Sequence, residues 1–248
     1  MRLARSGPVG ADWGVAGSLG AGRWSGPRGA ASETLPPERR IVGGFGRTLR
    51  GYNTLLHDRF FVGCALSAGL AGATLFAYIS GSTFVLQKIY GMSPQSFSLV
   101  FGAISLGLVI AAQAGARLAL VWPLTRVLGV GLIINLLGAT ALLITVITRL
   151  PMGVLIGALV VMVCAVGLIF PTANALAMAD YPDLAGTASS LQGLSQFVFG
   201  AVVAPLVGIA GEHTALPLGI VCIAVSACAS ASFTSLVLPV VRARIKDH

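Results

Sequence analysis

LFAYISGSTFVLQ, residues 75–87, closes a long uncharged run and carries two kinds of side chain that a plain membrane span does not need. Phe76, Tyr78 and Phe84 supply rings; Ser80, Ser82 and Thr83 supply hydroxyls. A helix that has only to cross a bilayer is satisfied by Leu, Ile and Val throughout. Rings and hydroxyls gathered at one end suit the wall of a cavity that holds greasy but partly polar molecules. An aromatic belt at the water interface is the competing account of the same residues. It fits the rings better than the clustered hydroxyls.

This run belongs to the first of six. Residues 60–86, 95–116, 127–148, 151–178, 184–210 and 215–239 contain no Lys, Arg, Asp or Glu. At about 1.5 Å per residue, each is long enough to cross a hydrocarbon core of roughly 30 Å. The composition agrees, since 10% of the residues are charged, against about 25% in soluble domains. The expected fold is an all-α membrane protein of six transmembrane helices.

The net charge of +8 resembles a nucleic-acid signal until the positions are read. Of the sixteen Lys and Arg, nine precede Phe60 and three lie in the last seven residues. Basic ends around an apolar middle mark a membrane face, and no nucleic-acid partner is expected. Arg47, Arg50 and Arg59 precede the first span, Arg117 and Arg126 bracket the loop after the second, and Arg242, Arg244 and Lys246 follow the last. Only Lys88 and Arg149 lie on the opposite side, so both termini are expected to be cytoplasmic. The loop after the fourth span holds only Asp180 and Asp183 and is assigned to the inside by parity.

Residues 1–32 are rich in Gly, Ala, Arg and Ser, without periodicity, and read as disordered. Residues 33–59 read as a cytoplasmic linker, ETLPPERR at its start, followed by a short helix on the membrane surface. Residues 60–239 form the transmembrane domain and residues 240–248 a cytoplasmic tail. Cys64, Cys164, Cys222 and Cys228 are scattered through apolar segments and read as small buried residues, not as disulfides or a metal site.

Within the spans, Gly153 and Gly157 make a GxxxG, and Gly200, Ala204 and Gly208 a ladder of small residues, both suited to close helix packing. Pro171 and Pro205 each remove a backbone donor well inside a span and are expected to kink it.

None of the eight acidic residues lies at mid-membrane depth, and His57, His213 and His248 all lie outside the spans. A proton pathway needs a titratable group, and these spans supply none. Intramembrane serine proteolysis lacks a histidine base, no phosphate-binding glycine loop is present, and no cofactor is expected. The remaining candidates are polar and neutral. Ser189, Gln192 and Gln196 share one helix face, with Phe197 and Phe199 beside them, and Thr172 and Asn174 follow Pro171. Each amide is either a cavity contact or one partner in an interhelical hydrogen bond.

At this point the residues match a known pattern. LFAYISGSTFVLQ followed by Tyr90-Gly91-Met92-Ser93 resembles the seventh helix of the Bcr/CflA drug-resistance efflux transporters of the major facilitator superfamily. Pro171, Asn174 and Ala177, AGTASSLQGLSQF at 185–197 and GAVVAP at 200–205 resemble that family's tenth and eleventh helices, and ETLPPERR its central cytoplasmic loop. Thr83 departs from the pattern, where the family usually has proline. The resemblance covers residues 33–248 and the family's carboxy-terminal half only, that is, two inverted three-helix repeats of a twelve-helix bundle. Residues 1–32 stand where the first six helices would be, which reads as a truncated or mis-started chain.

The resemblance implies drug/proton antiport in a bacterial inner membrane, with the proton-coupling carboxylate in the other half. It implies that the first, fourth and fifth spans face a central cavity. Phe76, Tyr78, Ser82, Phe84, Asn174, Gln192 and Gln196 are the expected substrate contacts. The expected partners are membrane lipid, small amphipathic drug-like molecules and a six-helix amino-terminal half. Three alternatives stay open: a non-transporting fragment, a half that needs a partner or a second copy of itself, and a six-span carrier or membrane enzyme of another family.

Overall fold

The computed structural model describes residues 45–208 and 214–246. The segment expected to be disordered, the proline-broken linker, Glu212, His213 and the last two residues lie outside the described residues.

The first described helix is α1, Phe45–His57. It ends at Asp58, whose carboxylate accepts the Phe60 and Phe61 amides at 2.9 and 3.4 Å and so starts the next helix. That helix, α2, runs Arg59–Phe84 and widens into a π-helical turn at Val85–Ile89. Gly91 then turns the chain with φ +68°, where glycine carries no Cβ penalty. Ser93 caps α3, Pro94–Leu118, by accepting the Ser96 amide at 3.2 Å, and Pro94 sits where a missing amide hydrogen costs nothing.

α4, Leu124–Thr148, and α5, Met152–Ala179, each follow a proline. Arg149 ends α4 in the left-handed region, φ 53°. α6 is Ala185–Gly208. α7, Leu216–Ser232, passes through a π-helical turn at Phe233–Val237 into α8, Leu238–Lys246. Six of these helices are long and apolar enough to cross a membrane, at the six places the sequence marks.

α2 is the centre of the bundle. In its most apolar stretch 72% of residues are buried, against 6% for α3, which lies at the periphery against α5. The difference follows from side-chain size. α2 carries Gly63, Ala65, Ala68, Gly69, Ala71, Gly72 and Ala73, so α5, α6 and α7 can all approach its backbone. A Cβ on Gly63 would stand 2.8 Å from Leu236 and Val237 side chains, and one on Gly69 2.8 Å from Phe199 and Ser195. α5 is gripped likewise. Gly138 of α4 lies against the Met162 backbone, and Gly167 of α5 against the Leu108 carbonyl of α3.

One polar cluster, which the sequence reading passed over, joins four helices. Asn135 of α4 is fully buried. Its Nδ2 donates to Thr74 Oγ1 of α2 at 3.2 Å and to the Met162 carbonyl of α5 at 2.9 Å. Its Oδ1 accepts from Ser226 Oγ of α7 at 2.8 Å. Every hydrogen-bonding atom of the amide therefore has a partner where water cannot provide one.

A second cluster gathers one end of the bundle. Tyr181, in the loop before α6, donates to Asp58 Oδ2 at 3.1 Å. Arg244 of α8 forks onto Asp180 at 2.6 and 3.3 Å and lies 5.0 Å over the Phe60 ring. The acidic loop assigned by parity thus lies at the same end as the start of α2 and the basic tail.

Candidate functional site

Three helices converge on a face of rings and amides. Gly72 of α2 is the floor: a Cβ there would stand 3.1 Å from the Phe170 ring of α5 and 3.4 Å from Gln196 Cγ of α6. One turn along α2, Phe76 meets Phe197 of α6 edge-to-face, ring centroids 5.7 Å apart. Gly200 lets that ring lie against the α6 backbone, since a Cβ at 200 would be 2.5 Å from it. Asn174 follows Phe170 by one turn on α5. Phe76, Phe170, Asn174 and Gln196 are half-buried and Phe197 is 66% exposed, so the face is open.

The amides on this face are uncommitted. Neither Asn174 nor Gln196 makes a side-chain hydrogen bond among the described residues, so the interhelical role that the sequence left open for them is not taken up there. The face also bears no ionisable side chain. Chemically it can stack apolar and aromatic groups and offer two adaptable amides, which is recognition without acid–base or nucleophilic chemistry.

The other expected contacts lie elsewhere. Tyr78 is buried on the far side of α2, stacked on Phe101 of α3 with centroids 5.5 Å apart and planes 15° apart. Ser82, one turn on, is fully buried, and Phe84 packs against the apolar core that contains Tyr78. Gln192 is fully buried, and neither of its amide atoms, nor the Tyr78 or Ser82 hydroxyl, has a hydrogen-bond partner among the described residues. The division follows from helical geometry: positions 76 and 78 differ by roughly 200° around the axis, so one helix cannot show both to one cavity. Phe170 joins the face without having been expected. It directly precedes Pro171 and shares a face with Asn174, which is the signal that could have found it.

Pro171 and Pro205 both lie within continuous helices. Beside Pro171, the Thr172 hydroxyl donates to the Leu168 and Ile169 carbonyls at 2.7 and 3.0 Å, back-bonding of the kind that accompanies bent membrane helices. Gly200 and Ala204 pack on α2, the latter through its carbonyl, which accepts Ser80 Oγ at 3.2 Å. Gly153, Gly157 and Gly208 approach no helix among the described residues: a Cβ at any of them meets nothing within 4 Å.

The family model of the Major Facilitator Superfamily matches residues 13–205. An uncharacterized MFS-type transporter, YdgK of Bacillus subtilis (strain 168), is 33% identical over 204 residues, 82% of this chain and 50% of the relative. A bicyclomycin resistance protein homolog of Haemophilus influenzae is 26% identical over 186 residues, 75% of this chain and 47% of that protein. The chain spans about half the length of the curated relatives it matches. Six membrane-length helices and a family match over most of the sequence agree, and the chain belongs to the major facilitator superfamily of transporters.

Proposed function

We propose that this six-helix bundle works as the carboxy-terminal half of a multidrug efflux transporter in a bacterial inner membrane, with both termini cytoplasmic. The observation that carries the reading is the open face of Phe76, Phe170, Asn174, Gln196 and Phe197. It offers rings for apolar area and free amides for hydrogen bonds to amphipathic drug-like molecules. A relative named for bicyclomycin resistance supports the substrate class. The concentration of Lys and Arg at one end supports the orientation. Export proceeds by alternating access, this half rocking against a six-helix amino-terminal half around a midplane site. The proton-coupling carboxylate belongs to that other half, since the spans here carry no acid.

The test is drug accumulation in efflux-deficient bacteria that express this chain alone or with a related amino-terminal half. Lowered accumulation only with the partner supports the reading. Lowered accumulation by the chain alone shows a self-assembled carrier and overturns the assignment of coupling to another half. No change in either, with the protein confirmed in the membrane, makes the chain a non-transporting fragment.

A further inference from the structure

On the opposite side of α6 from the recognition face, a groove of about 250 Å³ runs between α1, α2 and α6. Leu56 of α1, Val62, Ala65 and Leu66 of α2, and Leu194 and Val198 of α6 line it. Among the described residues its only polar liner is Ser195, whose hydroxyl lies 3.3 Å from the Ala65 carbonyl and 2.7 Å from that of Gln192. The groove therefore makes no polar demand on an occupant. It is open: Leu56, Leu194 and Val198 are 56, 57 and 49% exposed. A transmembrane helix is about 10 Å across and does not fit so small a space, whereas one hydrocarbon chain does.

The end of the groove carries the second half of the argument. Arg59, Val62 and Leu66 are spaced by three and four residues, so Arg59 stands on the groove's own face of α2, one turn beyond its apolar floor. Arg59 is exposed and forms no ion pair among the described residues. Its neighbouring acid, Asp58, is committed to the Phe60 and Phe61 amides and the Tyr181 hydroxyl. Arg50 and His57 on α1 add basic groups at the same end. An apolar slot ending at an exposed cation is complementary to an anionic amphiphile, and the membrane supplies one whose headgroup lies at this depth.

We propose that this groove is a phospholipid site, which holds one acyl chain of an anionic phospholipid with the phosphate on Arg59. Arg59 acts by charge and Ala65 by leaving room. The site needs the membrane placement of the bundle but not the transport reading, and its test has no transport readout.

The experiment uses the full chain in nanodiscs containing phosphatidylglycerol with a photoreactive acyl chain, and in parallel discs containing photoreactive phosphatidylcholine. Labelled peptides are mapped by mass spectrometry. The expected result is phosphatidylglycerol labelling concentrated on residues 56–66 and 191–199. Arg59→Gln should lower it about fivefold, the effect of roughly 1 kcal/mol per basic residue at an anionic surface, while phosphatidylcholine labelling changes little. Ala65→Phe, or Leu194→Gln should the first misfold, should lower labelling by both lipids. Arg117→Gln, on the distant face of α3, should change neither. Labelling spread evenly over α3 and the groove overturns the site, as does an unchanged Arg59→Gln variant. Disulfide-linked dimers formed through Val62→Cys would show a second copy in the groove and overturn it as well.

Discussion

Asn135 Nδ2 lies 3.2 Å from Thr74 Oγ1, a hydrogen bond that ties α4 to the buried centre of α2. With the Met162 carbonyl and Ser226 it makes one amide the meeting point of four helices. Interhelical hydrogen bonds in membrane bundles contribute about 0.6 kcal/mol on average. Removing Asn135 also strands the Ser226 hydroxyl in an apolar core, whereas the Thr74 hydroxyl keeps its bond to the Ala71 carbonyl at 2.6 Å. Asn135→Leu should lower unfolding stability by about 1–3 kcal/mol. Reversible denaturation in mixed micelles measures it, and a double-mutant cycle with Ser226→Ala should show coupling of at least a few tenths of a kcal/mol.

Glycines on the bundle surface should respond oppositely to glycines inside it. Gly200→Val places its Cβ against the Phe76 ring, backed by Phe197. It should reduce thermal stability and shift Phe76 off the face. Gly157→Ala meets nothing within 4 Å. With better helix propensity, by about 0.8–1 kcal/mol in soluble hosts, it should be neutral or stabilising. Melting temperatures of the two variants in the same detergent decide the matter, and equal losses would contradict the packing described above.

Ligand affinity should separate the two sides of α2. Phe170→Ala removes a ring from the open face and should weaken binding of an aromatic cation about two- to tenfold, the range of one aromatic contact. Gln196→Leu should alter the ranking of ligands more than their overall affinity. Tyr78→Phe, on the buried side, deletes a hydroxyl without a partner among the described residues and should leave affinity unchanged while holding or raising stability. Fluorescence titration of the reconstituted transporter reads all three.

The Tyr181–Asp58 contact should make the end cluster alkali-sensitive. Partial burial is the main cause that raises the Tyr181 phenol above its ordinary value; the hydrogen bond to Asp58 and the charges of Asp58 and Asp180 add to it, and Arg244 opposes them. A raised value in the folded state means that the protonated phenol is favoured there. The stabilisation is complete below the ordinary tyrosine range and is lost as pH rises through the raised value. Tyr181→Phe should remove this alkaline loss. Hydrogen exchange at the start of α2, measured between neutral and strongly alkaline pH in both proteins, checks it.

Arg244→Ala should release the tail without unfolding the bundle. The Arg244–Asp180 pair is partly exposed, so its loss should cost less than about 1 kcal/mol. Proteolysis after Arg242 should nonetheless accelerate, because α8 loses both the ion pair and the contact over Phe60.

The sequence by itself determined the class, the number of helices and their ends. Membrane spans are written as runs without charge, and bilayer thickness turns run length into a count. The same charge-free runs placed the helix ends approximately, whereas the caps at Asp58 and Ser93 and the openings at Pro94, Pro123 and Pro151 came from the structure. Phe76, Asn174 and Gln196 were legible as neutral polar or aromatic positions in suspect helices. Only the tertiary structure decided which of them meet. Phe76 and Tyr78 stand two residues apart, yet one lies on the open face and the other stacks on Phe101. Spacing within one helix says which residues share a face, but not which face its neighbours cover. Asn135 shows the same limit: its partners come from Thr74, Met162 and Ser226, and no local pattern marks an amide that three other helices will satisfy.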